Sequence, residues 1–283
     1  MKTKELVQKL HEGVQGVFQS ERFQQWLKLQ ARFHDYSAAN TLLILLQKPE
    51  AKQVAGFQTW KKLGRKVKKG EKGIAILAPL VKKVKTEDES ELETAEEQYI
   101  SGFRTVYVFD VRQTEGDELP ELAREMEGNS LEAAALVDKL YLIADNLGLR
   151  VITYTEGHRG AMGYFNPVKQ EIGLKHSSQD QMAKTLLHEL AHVLTKNPDY
   201  TYQQGEIIAE GTAFVVATYF GLDTSNYSFE YVAGWSSRQE RPAKGEKGKV
   251  DPLKQTATII QQTAKQLIQM LEKKSKDDKA LAG

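Results

Sequence analysis

The sequence contains no cysteine among its 283 residues. Disulfides and thiolate metal sites are therefore excluded, because both need the cysteine sulfur. No apolar run approaches the roughly 20 residues of a transmembrane helix, and residues 1–6 lack the apolar stretch of a signal peptide. These absences predict a cytoplasmic protein with no membrane partner.

A net charge of either sign is also nearly absent, since 39 Lys and Arg residues oppose 38 Asp and Glu residues. Hydrophobic residues make up 40% and charged residues 27% of the chain, as in ordinary soluble globular proteins. A chain of this length can bury two separate cores. Composition therefore predicts a globular protein of up to two domains and leaves its chemistry to local motifs.

Histidine is scarce, but two of the six histidines lie in the run His188-Glu189-Leu190-Ala191-His192. Residues four apart lie on one face of a helix, so these two imidazoles can share one Zn²⁺. Glu189 lies at the edge of that face, where it can act as a general base. This HExxH pattern predicts one zinc ion bound by His188 and His192, with Glu189 as the catalytic residue. The simpler alternative is a helix that carries two histidines by chance.

A second apolar stretch, residues 205–217, carries Glu206 and Glu210 on one helical face. A buried carboxylate is costly unless it is paired or bound to metal. We predict Glu206 as the third metal ligand, in a gluzincin-like arrangement, and Glu210 as the residue that orients a ligand histidine. Glu210 is the alternative third ligand, because Glu206 follows His192 by 14 residues and Glu210 by 18. In a further alternative, both glutamates simply favour the N-terminal end of their helix.

Positive charge is concentrated between Lys48 and Lys85, where twelve Lys and Arg residues accompany two acids. Clustered basic charge with nearby aromatic residues favours nucleic-acid binding, and stacking on aromatic rings favours single strands. Phe57 is one candidate for such stacking. The residues predicted to bind single-stranded DNA are Tyr36, Asn40, Trp60, Lys61, Lys62, Arg65, Lys66, Lys68, Lys69 and Lys72. The alternative is a solvated lysine face over aromatic residues that belong to the core.

Hydrophobic periodicity predicts helices at 3–18, 23–33, 37–47, 131–147 and 253–271, and strands at 74–79, 105–111, 151–154 and 171–175. The acidic segment 86–97 is predicted to be a hairpin tip or an insert, and the glycine-rich segment 156–165 a turn. Residues 172–175 are predicted to pair with an extended substrate. His158, Tyr164 and Tyr231 are candidates for stabilising an oxyanion.

Several short motifs resemble one family. Residues 36–40, 47–49, 54–65 and 69–74 are similar to the N-terminal domain of ArdC-type plasmid antirestriction proteins. The resemblance continues through HELAH, the helix with Glu206 and Glu210, and residues 229–235, and it covers most of residues 20–270. The C-terminal half is also similar to the ImmA/IrrE metallopeptidases. Residues 238–249 have no place in the resemblance.

This resemblance implies a protein that protects incoming plasmid DNA during conjugation. The predicted fold class is α+β, with a single-stranded-DNA-binding domain at 1–125, a zincin-like metallopeptidase domain at 126–272 and a disordered tail at 273–283. Two functions follow: a zinc peptidase that cleaves a protein met on single-stranded DNA, or a non-catalytic protein that coats the DNA and keeps a structural zinc. A nuclease is a weaker hypothesis, because two-metal chemistry needs more carboxylates than this site has.

Overall fold

The computed structural model describes residues 1–85, 96–117, 130–155, 162–224, 227, 229–240 and 251–281. The chain divides into two compact units. Unit 1 comprises Met1–Gly13 and Leu42–Leu119, and unit 2 comprises Val14–Thr41 and Pro120–Gly283. The predicted domain boundary at residue 125 stays a prediction, and residues 14–41 cluster with unit 2.

The helices are α1 (Thr3–Val17), α2 (Ser20–Arg32), α3 (Ala38–Gln47), α4 (Phe57–Lys62), α5 (Ser130–Asn146), α6 (Gln179–Leu194), α7 (Tyr202–Tyr219), α8 (Glu230–Ser237) and α9 (Pro252–Leu281). The helices predicted from periodicity are confirmed, with ends that move by a few residues. Helix α9 continues to Leu281, through most of the stretch predicted to be disordered. Within the described residues, no helix combines the length and apolar character needed to cross a membrane.

The strands are β1 (Val54–Gly56), β2 (Arg65–Val67), β3 (Ile74–Lys85), β4 (Glu96–Asp110), β5 (Thr114–Gly116), β6 (Arg150–Tyr154), β7 (Gly163–Asn166) and β8 (Glu171–Lys175). The four predicted strands are confirmed as β3, β4, β6 and β8, and the α+β class with them. The turn predicted over 156–165 is wrong from residue 163 onward, because β7 pairs with β8 there. Residues 156–161 and 86–95 lie outside the described residues.

Unit 1 contains a three-stranded antiparallel sheet in the order β1–β4–β3, and a separate pair of β2 with β5. Strands β3 and β4 pair from Ile74, opposite Val108, to Lys85, opposite Glu96. The end of the sheet near Ile74 is buried, since Ile74, Ile76 and Val108 all belong to the core. The two strands extend well beyond this buried end as a long ribbon.

Asp110 ties the end of β4 to the neighbouring loops. Its fully buried carboxylate accepts hydrogen bonds from the main-chain N–H groups of Lys52 at 2.7 Å and Arg112 at 3.1 Å, and from Arg112 Nε at 2.8 Å. Burial works against the ionised form, but these hydrogen bonds hold the pKa of Asp110 below its usual value. The charge is therefore a structural part of unit 1.

Unit 2 has a three-stranded sheet in the order β6–β8–β7, with β6 parallel and β7 antiparallel to the central β8. Helix α6 packs on β7 and β8, and helices α5 and α7 pack on α6. Helix α9 packs on α7, and its predicted apolar face is confirmed as buried: Leu253, Ala257, Ile260, Ala264, Leu267, Ile268 and Leu271. The helix that carries HExxH is thus held between the sheet and other helices.

An aromatic cluster joins the early and late parts of unit 2. The ring of Phe18 lies 5.0 Å from Phe23, 6.4 Å from Trp26 and 6.1 Å from Trp235, measured between ring centroids. Phe23 also contacts Phe229 at 5.3 Å. All five side chains are buried. Residues 14–41 therefore belong to the core of the unit that contains α6 and α7.

Candidate metal centre

Helix α6 begins after Ser178, whose hydroxyl accepts a hydrogen bond from the Gln181 N–H at 3.3 Å. Leu186, Leu187 and Leu190 are buried, as expected for a helix whose apolar positions recur with helical period. His188 and His192 are partly buried one turn apart, and their Nε2 atoms approach each other to 3.0 Å. The predicted arrangement of the two imidazoles on one helical face is confirmed.

Helix α7 brings Glu206 to the same place. The helix begins after Thr201, whose hydroxyl accepts a hydrogen bond from the Gln204 N–H at 3.2 Å. One Glu206 oxygen lies 3.5 Å from His188 Nε2, and the other lies 3.4 Å from His192 Nε2. Donor atoms of these three residues all lie within 4.8 Å of one another. They converge from two helices that pack directly together.

Glu210 occupies a different position, on the far side of the His188 ring. Its Oε2 lies 3.0 Å from His188 Nδ1, and its Oε1 lies 3.2 Å from the Lys184 ammonium. The Lys184 ammonium also lies over the ring of Tyr227, 3.9 Å from its centroid. A carboxylate can only accept, so Nδ1 carries a proton, and Nε2 is the nitrogen that would face a metal ion once its own proton has left. Glu206 therefore faces the Nε2 atoms of both histidines, whereas Glu210 faces Nδ1 of His188.

The donor set fits a divalent cation. Two imidazole nitrogens and one carboxylate group face a common point, and a tetrahedral ion held by three protein groups keeps one position for substrate. Glu210 holds the His188 ring by its other nitrogen, as carboxylates do for histidines that bind metals. The residues that would hold the ion are His188, His192 and Glu206.

The surrounding charges shift the protonation of these groups. Burial opposes the charged form of His188, but hydrogen bonds to Glu206 and Glu210 outweigh it and raise its pKa to about 9. The two imidazoles hold the pKa of Glu206 well below its usual range. Burial raises the pKa of Glu189, although His188 and His192 act in the opposite direction. A proton and a metal ion would therefore compete for the same groups.

Glu189 lies in the buried part of the site, next to β7. A Cβ added to Gly163 would lie 3.2 Å from Glu189 Oε1 and 2.4 Å from Thr185 Cγ2. Gly163 therefore allows the strand to approach the helix closely. The substrate-pairing role predicted for 172–175 is wrong, because β8 is hydrogen-bonded to β6 on one side and β7 on the other. In the described sheet, β7 is the edge strand next to Glu189.

Of the three predicted oxyanion residues, Tyr164 has a described side chain, and that side chain does not face this site. Tyr164 points to the face opposite Gly163, and its hydroxyl donates to Glu171 Oε1 at 3.2 Å. His158 and the side chain of Tyr231 lie outside the described residues. Tyr202 was not predicted from the sequence; it is 82% exposed, and the nearby charge of Glu206 raises its pKa. The signal was present, because Tyr202 precedes Glu206 by one helical turn.

The lysines predicted to bind DNA lie on the surface of unit 1. Those that are exposed are Lys61, Lys62, Lys66, Lys68, Lys69 and Lys72. The ammonium of Lys68 donates to the Arg112 carbonyl at 3.0 Å, so this side chain also secures a neighbouring loop. The other five lysines are exposed to solvent, as contacts with a phosphate backbone require.

One of the predicted DNA contacts needs correction, and a second, which stays a prediction, also has a role in the fold. Trp60 is only 2% exposed, and its indole N–H donates to the Phe109 carbonyl at 2.9 Å, so a base cannot stack on it. The Arg65 guanidinium bonds to Thr114 Oγ1 at 2.8 Å and to carbonyls of β5, which ties β2 to β5. Both residues therefore serve the fold of unit 1.

Tyr36 and Asn40, also predicted to bind DNA, belong to unit 2 and not to the unit with the lysines. Tyr36 is half-buried, which raises its pKa, and its carbonyl accepts a hydrogen bond from Gln30. The Asn40 N–H donates to Ser37 Oγ at 3.3 Å, in agreement with the predicted capping of α3 by Ser37. The role of these two residues in DNA binding stays a prediction.

Comparison with known proteins identifies a match for the N-terminal part. Residues 2–109 match the family model described as the N-terminal domain of anti-restriction factor ArdC. Uncharacterized protein pXO2-81 of Bacillus anthracis is 24% identical over 311 residues, which cover 96% of this chain and 51% of that protein. The chain thus spans about half the length of the curated relative it matches.

The fold also resembles solved structures. The metal-free crystal structure of antirestriction ArdC protein from plasmid R388 has a TM-score of 0.52 and 22% identity, covering 84% of this chain and 86% of that chain. The Mn(II)-bound crystal structure of the same protein has a TM-score of 0.48 and 23% identity, covering 84% of each chain. At these identities the likeness concerns the fold alone.

Proposed function

We propose that this chain is an antirestriction protein with two activities: unit 1 binds single-stranded DNA, and unit 2 hydrolyses peptide bonds of proteins associated with that DNA. The convergence of His188, His192 and Glu206 beside Glu189 carries the proposal. A structural zinc site has four protein ligands, whereas this group of three leaves a position for substrate. The match of residues 2–109 to the N-terminal domain of an anti-restriction factor supports the DNA-protecting role.

The chemistry follows from the positions of the side chains. A bound zinc ion would polarise the scissile carbonyl and acidify water. Glu189 removes the proton of the attacking water and passes it to the leaving amine, and burial suits it to this task by raising its pKa. Glu210 keeps the His188 ring in one orientation. Tyr202 lies at the exposed side of the site, where its hydroxyl can turn from Glu206 to the substrate oxygen.

The substrate main chain is proposed to pair with β7. This strand is the edge of the described sheet, and its first residue lies against Glu189. An extended peptide added to such an edge places one peptide bond near the catalytic group, since every second residue faces the same side. Pairing through main-chain groups requires little of the substrate sequence and suits an enzyme whose target is selected by its presence on DNA.

The test uses the full-length chain loaded with zinc or with manganese(II). Glu189→Gln should bind metal as the unaltered chain does and should lose hydrolysis of DNA-associated proteins by about a hundredfold or more. Glu115→Gln, at an exposed carboxylate of β5 in unit 1, is the matched control. Cleavage by Glu189→Gln at the normal rate would exclude the peptidase. Nuclease protection of single strands that survives both Glu189→Gln and metal removal would support the non-catalytic, DNA-coating alternative.

A further inference from the structure

We infer that one face of the β3–β4 ribbon is a platform on which the bases of single-stranded DNA stack. This ribbon face includes the apolar residues Val81, Ile100, Phe103 and Tyr107, with Thr105, which bonds to Thr3 Oγ1 at 3.1 Å, between the two aromatic residues. The inference deepens the proposed DNA-binding function of unit 1, on which it rests. Each of the four apolar side chains is between 47% and 58% exposed. Apolar side chains grouped on a surface in this way mark an interaction site.

The pairing of the strands places the four residues on one face. Tyr107 lies opposite Ala75 and Phe103 opposite Pro79, and residues four apart on a strand share a face. A bulge follows, with Leu80 opposite Gly102 and Val81 opposite Ile100. The additional residue, Ser101, returns Ile100 to the face of Phe103, because one inserted residue reverses the alternation. Without the bulge the apolar row would break after Phe103.

The dimensions of the ribbon face suit several bases. At about 3.3 Å per residue, the row from Tyr107 to Ile100 is roughly 20 Å long. Tyr107 lies at one end of this row, and its ring is held in place because its hydroxyl accepts a hydrogen bond from the Met1 amino group at 2.6 Å. A ring held by its hydroxyl loses little conformational entropy on binding, and 47% of Tyr107 is exposed for contact with a base.

The ribbon face adjoins basic charge at one end. Lys68, Lys69 and Lys72 lie in the turn between β2 and β3, and are called the basic turn here. The turn meets the ribbon face at Gly73, because a Cβ there would lie 2.9 Å from Tyr107 Cβ. Rings beside a row of lysines match the bases and phosphates of a single strand, whereas a protein partner would need acids to face the basic turn.

The charge of the segment that joins β3 to β4 in the sequence limits the path of the DNA strand. Residues 86–95, between β3 and β4, contain five acids and no base. DNA phosphates are repelled by these acids and attracted to the basic turn, so the DNA strand crosses the ribbon near Tyr107 and Phe103. Duplex DNA is disfavoured, because its bases are already stacked and cannot lie on the rings.

The inference is tested by anisotropy of a labelled oligothymidine of about 16 nucleotides, the upper site size for stacking modules of this kind. Phe103→Ala should weaken binding about tenfold without changing its salt dependence, since stacking is not ionic. Replacing the three basic-turn lysines with Gln should lower the slope of log Kd against log salt by about 2. Leu142→Ala, at an equally exposed apolar side chain on α5 of unit 2, is the matched control and should bind normally.

A second measurement needs no variant. Bromodeoxyuridine in the oligonucleotide should crosslink, under ultraviolet light, to Phe103 or Tyr107 of the unaltered chain, as mass spectrometry would show. Normal affinity of Phe103→Ala together with crosslinks elsewhere would overturn the platform while leaving the DNA-binding function intact. If the unaltered chain binds no single strand at all, the DNA-binding function itself fails.

Discussion

Glu210→Gln separates the two glutamates of α7 by their effect on metal affinity. In the unaltered protein, one oxygen of Glu210 accepts from His188 Nδ1 at 3.0 Å and the other faces the Lys184 ammonium at 3.2 Å. Glutamine has the same shape but one acceptor and one donor group. Its amide NH₂ must face either the imidazole N–H or the ammonium, so one of these donors loses its acceptor. The His188 ring is then held less firmly.

The expected loss follows from this geometry. Removing the group that orients a ligand histidine lowers metal affinity about 10- to 100-fold, which corresponds to about 1.4–2.8 kcal/mol. Glu206→Gln should cost more, because both Glu206 oxygens face the imidazole Nε2 atoms where the ion would lie. Without Glu210, the pKa of His188 should also fall, and the proton would compete less with the metal near neutral pH.

Zinc affinity is measured by competition with a chromogenic chelator, at several pH values, for the unaltered chain and both variants. Glu115→Gln provides the control for loss of a carboxylate far from the site in sequence. A larger loss in Glu210→Gln than in Glu206→Gln would refute the assignment and make Glu210 the third ligand. Equal and unchanged affinities would show that neither carboxylate takes part.

Three further outcomes are expected. Gly163→Ala should destabilise the fold by about 1–3 kcal/mol and slow hydrolysis, since its methyl group would press on the helix beside Glu189; a thermal midpoint equal to that of the unaltered chain would contradict this. Asp110→Asn should cost about 1.5–3 kcal/mol in urea unfolding, because Arg112 loses its charged partner. Because the pKa of Asp110 is lowered in the folded protein, its carboxylate adds to the free energy of unfolding above about pH 4, and this stabilisation is lost as the pH falls through the folded pKa. The stability of Asp110→Asn should not show this dependence on pH. Arg65→Gln should lower stability by about 1 kcal/mol through its lost bonds to β5, yet leave the salt dependence of DNA binding unchanged; a reduced slope would restore Arg65 as a phosphate contact.

The candidate metal centre could be predicted because its signal is local. His188 and His192 are joined by one helical turn, and the apolar residues around them indicate a buried helix before any tertiary contact is known. Which of Glu206 and Glu210 faces Nε2 of His188, and which faces Nδ1, could not be derived in this way. It depends on how α7 packs against α6, which no spacing within either helix determines.

The proposed DNA-binding surface was harder to predict, because clustered charge indicates which residues face water but does not indicate which aromatic residues do. Trp60 lies within a lysine-rich run and is nevertheless buried against β4. Phe103 and Tyr107 lie in a strand whose pattern favours burial, but the ribbon extends past the core. Strand β7 was missed because four residues next to glycines give too short a pattern, and its pairing with β8 is what makes it a strand.

The aromatic cluster of unit 2 has a consequence for biosynthesis. Phe18, Phe23 and Trp26 are synthesised some 200 residues before their partners Phe229 and Trp235. At about 5–20 residues per second, this interval lasts roughly 10–40 s. During that time these three large apolar side chains lack two of the aromatic partners that they contact in the folded unit. The cluster is therefore completed only after residue 235 has been made.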